Sequence, residues 1–111
     1  TLGYAAAKAA LLSAVKTLAA ELAPRVRVNA IAPGGVDTDM IRVPRLAPGE
    51  PAPVGAALTA RVAAEVAALQ ALHPLGRLGT PEEVSAAVLF LLDAPWITGT
   101  VLVVDGGLLT R

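Results

Sequence analysis

The stretch "RVRVNAIAPGG", residues 25–35, decides the architecture. Val26, Val28 and Ile31 are β-branched, and Pro33, Gly34 and Gly35 form a turn signal, so the segment reads as a short strand whose carboxyl end opens into a loop. Upstream, Leu11, Leu12, Val15, Leu18, Ala19 and Leu22 recur at helical spacing, with Lys8, Lys16 and Glu21 off that stripe. This predicts a helix from about Gly3 to Leu22, ended by Pro24. Downstream, four prolines and a glycine in "VPRLAPGEPAP", residues 43–53, exclude regular structure and leave a mobile loop that could act as a lid. A second helix follows, with Leu58, Val62, Glu65, Val66, Leu69 and Leu72 on its stripe.

In "GTPEEV" Thr80 can cap, Pro81 suits a first helical position and Glu83 completes a capping box, so a third helix runs to about Leu92 and ends before Pro95. "VLVVDGG" places four apolar residues before Asp105, Gly106 and Gly107, the pattern of a strand buried on both faces and closed by a turn. The order helix, strand, helix, helix, strand predicts α/β layers with parallel strands and right-handed crossovers. Two strands make a marginal sheet, and ordinary sheets have about five or six. With Thr1 in place of a methionine, the expectation is the end of a larger sheet.

The 111 residues carry nine acidic and nine basic side chains, and 55% are hydrophobic. A chain of this length builds one core at most. Zero net charge without a basic cluster argues against nucleic acid and against an anionic membrane as partners. Small molecules or other protein chains are the expected ones. There is no cysteine and a single histidine, so a disulfide framework is excluded and a zinc site lacks its usual ligands; no metal is expected. Lys8 and Lys16 interrupt the apolar start, which removes the resemblance to a signal peptide, and a cytoplasmic location is expected.

Tyr4 and Lys8 stand four apart on the first helix and so share a face. A free tyrosine has a pKa of about 10, and both a nearby ammonium and a helix amino terminus favour its phenolate. Such a phenol can give a proton to a carbonyl oxygen, or take one from an alcohol, while hydride comes from a nicotinamide. Y-x-x-x-K alone also describes a surface tyrosine stacked beside a lysine stem. The rest of the order adds weight: "VNAIAPGGVDTDM", then "PLGRLGTPEEV", then "ITGTVLVVDGG".

With these motifs in this order, nearly the whole chain closely resembles the carboxyl-terminal half of the classical short-chain dehydrogenase/reductase family. The resemblance implies the carboxyl-terminal part of a doubly wound, parallel-sheet, NAD(P)-binding Rossmann fold, with residues 1–111 as one partial dehydrogenase domain. It implies Tyr4 as general acid or base, and Lys8 as the residue that lowers the tyrosine pKa and bonds the nicotinamide ribose. Pro33 and Gly34 would pass beside the nicotinamide, the Val36 backbone would hold its carboxamide, and Thr38 would bond the carboxamide or a phosphate. The variable segment from Asp39 to about Pro74 would be the substrate loop, apolar enough for a hydrophobic or small uncharged carbonyl or alcohol substrate. "GRLGTPEEV" and "VDGG" look like the branch containing 3-oxoacyl carrier-protein reductases and sugar or polyol dehydrogenases.

No glycine-rich G-x-x-x-G-x-G phosphate loop occurs in these residues, and the family's active-site serine and asparagine would precede Thr1. The residue that selects NAD or NADP is missing with them, so either cofactor fits. The expectation is a fragment inactive alone, from an enzyme that forms homodimers or homotetramers; the alternative is a non-catalytic interaction module or truncated remnant associating through apolar helices. His73 reads as a helix-end residue, Asp37 and Asp39 as solvated acids, Trp96 as a packing residue at the end of the third helix, and Asp105 as part of a turn.

Overall fold

The computed structural model describes residues 2–110; Thr1 and Arg111 lie outside the described residues. Three helices form, α1 over Leu2–Leu22, α2 over Gly55–Ala71 and α3 over Pro81–Asp93. Strands β1, Ala30–Pro33, and β2, Val101–Val104, pair in parallel as a two-stranded sheet. The predicted α/β order is the observed one. Two compact units result: the residues up to Ala32 with Val84–Val104, and Pro33–Glu83 with the residues from Asp105 onward.

In the first unit β1 is shorter than expected, because residues 26–29 are not part of the ladder. Side chains take over there. The Asn29 amide donates to the Ile97 carbonyl at 3.0 Å and accepts from the Thr100 N–H at 3.1 Å, and the Thr98 hydroxyl accepts the Val28 N–H at 3.1 Å. Backbone groups pair directly as well, the Gly99 N–H with the Val28 carbonyl and the Ala30 N–H with the Thr100 carbonyl. Arg27 closes the end of α3: its guanidinium donates to the carbonyls of Leu91, Leu92, Ala94 and Ile97 at 2.8–3.0 Å. These include carbonyls that a helix end leaves without intrahelical donors.

Val15 and Ala19 of α1 and Leu91 of α3 are buried, and Ala19 lies against Gly99. The predicted stripe of α1 is only partly right, since Leu11, Leu12 and Leu18 are exposed. A helix of 21 residues runs ~32 Å at 1.5 Å per residue. A strand of four residues covers only ~13 Å, so much of α1 has no strand beneath it. β2 is likewise half-buried instead of buried on both faces, with Val103 exposed because no described residue covers it. Trp96 does not pack at the end of α3: it is 97% exposed, and the side chain that meets the carbonyls there is Arg27. Among the described residues no helix is long and apolar enough to cross a membrane.

In the second unit α2 carries its predicted stripe inward at Leu58, Val62, Glu65, Val66 and Leu69, while Leu72 is exposed. A short 3-10 turn, Asp39–Arg42, packs against α2. The proline-rich segment has no regular structure, as expected, yet it is tethered. Arg61 of α2 reaches Glu50 at 2.6 Å and the Arg45 carbonyl at 2.7 Å while holding Glu65 at 2.7 Å. Glu65 in turn accepts the Arg45 N–H.

The capping box at α3 is complete. The Thr80 hydroxyl accepts the Glu83 N–H at 3.3 Å, the Glu83 carboxylate accepts the Thr80 N–H at 2.9 Å, and Arg77 grips both carboxylate oxygens. The Arg77 guanidinium, followed by the Thr80 N–H, pulls the Glu83 carboxyl down to about 2 from its ordinary 4.5. A carboxylate depressed in the folded state contributes stability that is present above the unfolded value and lost as pH falls through the folded one. Thermal unfolding followed by circular dichroism is therefore expected to shift downward between pH 4.5 and about 2, less steeply in Glu83→Gln. Equal slopes in the two proteins would contradict this account.

Candidate active site

Tyr4 and Lys8 lie in the first turns of α1 and point to one face. The Lys8 ammonium stands 5.6 Å from the centroid of the Tyr4 ring, within the range of a cation–π contact. Tyr4 is 67% exposed, and its hydroxyl has no hydrogen-bond partner among the described residues. The pair thus forms as its spacing predicts, with the ammonium over the ring and the phenol oxygen open.

The Pro33–Thr38 segment belongs to the second unit and is built by close approach. Pro33 is the last residue of β1 and is exposed. A Cβ on Gly34 would sit 2.8 Å from the Asp105 backbone and 2.9 Å from His73 Nε2, and one on Gly35 would sit 2.9 Å from both His73 and Leu78. Backbone cannot withdraw as a flexible side-chain end can, so position 34 is closed to larger residues for packing reasons alone. The Asp105 turn is itself pinned: its carboxylate accepts the N–H groups of Gly107 at 2.9 Å and Leu109 at 2.8 Å.

Beyond Gly35 the chain makes one parallel bridge, Val36 with Gly79. Gly79 donates to the Gly35 carbonyl and accepts from the Asp37 N–H, both at 2.9 Å. In such a bridge the flanking residues bond the partner, so the N–H and C=O of Val36 itself face the opposite edge. The Thr38 hydroxyl reaches the Val36 carbonyl at 3.5 Å, and the Val36 N–H meets no partner among the described residues. An open donor beside an acceptor complements a carboxamide, so the residues present fit the amide end of a nicotinamide. Thr38 is exposed, and its carbonyl accepts from Arg42 at 3.0 Å.

Arg42 also pairs with Asp37, so Asp37 is exposed but partnered; Asp39 is exposed. No cluster of three or more His, Asp or Glu suited to a metal occurs among the described residues. An open groove of about 890 Å³ in this unit is lined by Met40, Ile41 and Val43 on one side and Ala68, Leu69 and Leu72 of α2 on the other. Its wall also carries Arg61 and Glu65, already paired with each other.

Sequence reasoning placed His73 at a helix end, where it is, but missed that it turns inward. It follows the cap residue Leu72 of α2 and is 2% exposed. Its Nε2 accepts the Gly35 N–H at 2.9 Å, and its Nδ1 lies 2.8 Å from the Leu69 carbonyl. The available signal was the contrast within "ALHPLG", a polar ring between a helix stripe and a proline.

Comparison with known proteins is consistent with this geometry. Residues 2–109 match the family profile described as enoyl-(acyl carrier protein) reductase. Carbonyl reductase family member 4 of Xenopus tropicalis is 44% identical over 106 residues, which cover 95% of this chain and 36% of that protein. The 3-oxoacyl-[acyl-carrier-protein] reductase FabG of Aquifex aeolicus is 41% identical over 108 residues, covering 95% of this chain and 37% of that protein. The crystal structure of a small-chain dehydrogenase in complex with NADPH superposes with a TM-score of 0.74 at 33% identity, covering 93% of this chain and 41% of that one. The chain thus spans little more than a third of the length of these two relatives. Matched over nearly all its length, in motif order and in fold, the chain belongs to the short-chain dehydrogenase/reductase family of oxidoreductases, with a Rossmann-type α/β fold.

Proposed function

We propose that these residues form the proton-transfer and nicotinamide-facing part of an NAD- or NADP-dependent oxidoreductase that interconverts a carbonyl compound and its alcohol. The observation that carries this reading is the Tyr4 and Lys8 pair, 5.6 Å from ammonium to ring with the phenol oxygen open. The Tyr4 hydroxyl gives its proton to the carbonyl oxygen in reduction, or takes one from the alcohol in reverse. The Lys8 ammonium offsets negative charge on the phenol oxygen and bonds the ribose. The Val36 N–H and C=O hold the carboxamide, Thr38 bonds the carboxamide or a phosphate, and the Pro33 and Gly34 turn lies beside the ring. When bound, the nicotinamide supplies or accepts the hydride. The apolar groove lined by Met40, Ile41 and Leu69 suits a hydrophobic or small uncharged substrate.

In an enzyme containing these residues, Tyr4→Phe removes the transferable proton and is expected to lower kcat by roughly 10²- to 10⁴-fold. Full activity in that variant would overturn the assignment. Residues 1–111 alone contain no glycine-rich phosphate loop, and they are expected to show no NADH- or NADPH-dependent reduction of a model ketone. Measurable turnover by the isolated chain, folded by circular dichroism, would contradict that.

A second reading rests on the exposed apolar side chains of α1 and α3, among them Leu11, Leu18, Leu89 and Phe90. Such surface favours association, and in the intact enzyme we assign it to a homodimer or homotetramer. Sedimentation equilibrium is expected to give an oligomer; a monomer at micromolar concentration would remove this reading and leave the catalytic one standing.

A further inference from the structure

We infer that His73 is a positioning residue for the cofactor, holding the Gly34–Gly35 turn at the end of α2 as a neutral imidazole with its proton on Nδ1. The inference rests on the reading that the 33–38 segment faces the nicotinamide. The partners decide the tautomer. A backbone carbonyl can only accept, so Nδ1, 2.8 Å from the Leu69 carbonyl, must carry the hydrogen. A backbone N–H can only donate, so Nε2, 2.9 Å from the Gly35 nitrogen, must offer its lone pair. An imidazolium, or the Nε2–H tautomer, would turn a donor toward the Gly35 donor inside a site that is 2% exposed.

The contacts around the ring explain why this matters two residues further on. Gly34 and Gly35 leave no room for a Cβ beside the imidazole, and a Cβ added at Gly106 would meet its other atoms at 3.5–3.6 Å. The ring thus lies tight against the turn that ends β1, with the turn that follows β2 near its other side. Gly35 also passes its carbonyl to Gly79, so the residue next to Val36 is held through its N–H by His73 and through its C=O by Gly79. With both groups of Gly35 tied, the Val36 peptide has its direction set, and with it the open N–H proposed for the carboxamide. His73 touches no reacting atom in this arrangement; it acts through the Gly35 peptide.

The test has two parts. A two-bond ¹H–¹⁵N spectrum of the ¹⁵N-labelled enzyme containing these residues reads the tautomer, the His73 signals being identified by their loss in His73→Gln. A protonated Nδ1 and an unprotonated Nε2 are expected; an Nε2–H ring, or averaging between tautomers, overturns the inference. The second part compares His73→Leu with His73→Gln, whose side-chain oxygen can still accept the Gly35 N–H. In an enzyme containing these residues, His73→Leu is expected to weaken NADH or NADPH binding about tenfold, as for a buried donor left unpaired. Binding of ADP-ribose, which has no nicotinamide, is expected to stay unchanged, and Gln is expected to restore most of the loss. Equal weakening of both nucleotides, or no rescue by Gln, marks a merely structural residue and overturns the inference. Thr38→Val separates the two readings: a defect there with a silent His73→Leu rejects the role of His73, whereas silence in both rejects the assignment of the 33–38 segment.

Discussion

A strand that runs out into a turn carries backbone donors and acceptors past the end of its ladder, and each of those left in the interior needs a partner. Much of this molecule follows from how the chain on either side of β1 meets that demand. Before β1, Asn29 and Arg27 supply side-chain groups where strand or helix carbonyls lack them. After β1, Gly35 is bonded on one side by His73 and on the other by Gly79. These bonds join segments dozens of residues apart, and the glycines permit the approach. An unmade buried bond costs ~1–3 kcal/mol, a large share of the stability of a small domain.

The same constraint produces the candidate chemistry. A parallel bridge limited to one residue satisfies the neighbours of Val36 and leaves its own amide edge facing outward. A ladder stopped early keeps a donor and an acceptor available beside the turn, and the nicotinamide site proposed above uses that edge. Tyr4 and Lys8 use a different device, the four-residue repeat of a helix, to bring a phenol and an ammonium together without tertiary help.

Features governed by local rules were legible in the sequence. The three helices, the capping box of Thr80 and Glu83, the turn at Asp105 and the strand at Val101–Val104 all follow from periodicity, capping chemistry and turn residues. Features governed by contacts far along the chain were not. The strand predicted from Arg25 begins at Ala30, because Asn29 and Thr98 replace ladder bonds with side-chain bonds that no propensity encodes. The apolar stripe of α1 can be read, but not how much sheet lies under it, and Leu11, Leu12 and Leu18 of that stripe stay exposed. Trp96 went wrong for a similar reason: size and apolarity suggest burial, yet the carbonyls at that helix end select Arg27. For the site, the Tyr4 and Lys8 pair was visible as spacing, whereas the inward turn of His73 is met by Gly35, 38 residues away.

The central claim is that Tyr4 delivers the proton and the Val36 edge holds the nicotinamide amide. A crystal structure of the enzyme containing these residues, with NADH or NADPH and an unreactive ketone analogue bound, tests both at once. The account predicts the Tyr4 hydroxyl at hydrogen-bonding distance from the analogue's carbonyl oxygen, about 2.6–3.2 Å, and the carboxamide paired with Val36. A carbonyl oxygen bonded to another group, with Tyr4 turned away to solvent, would contradict it.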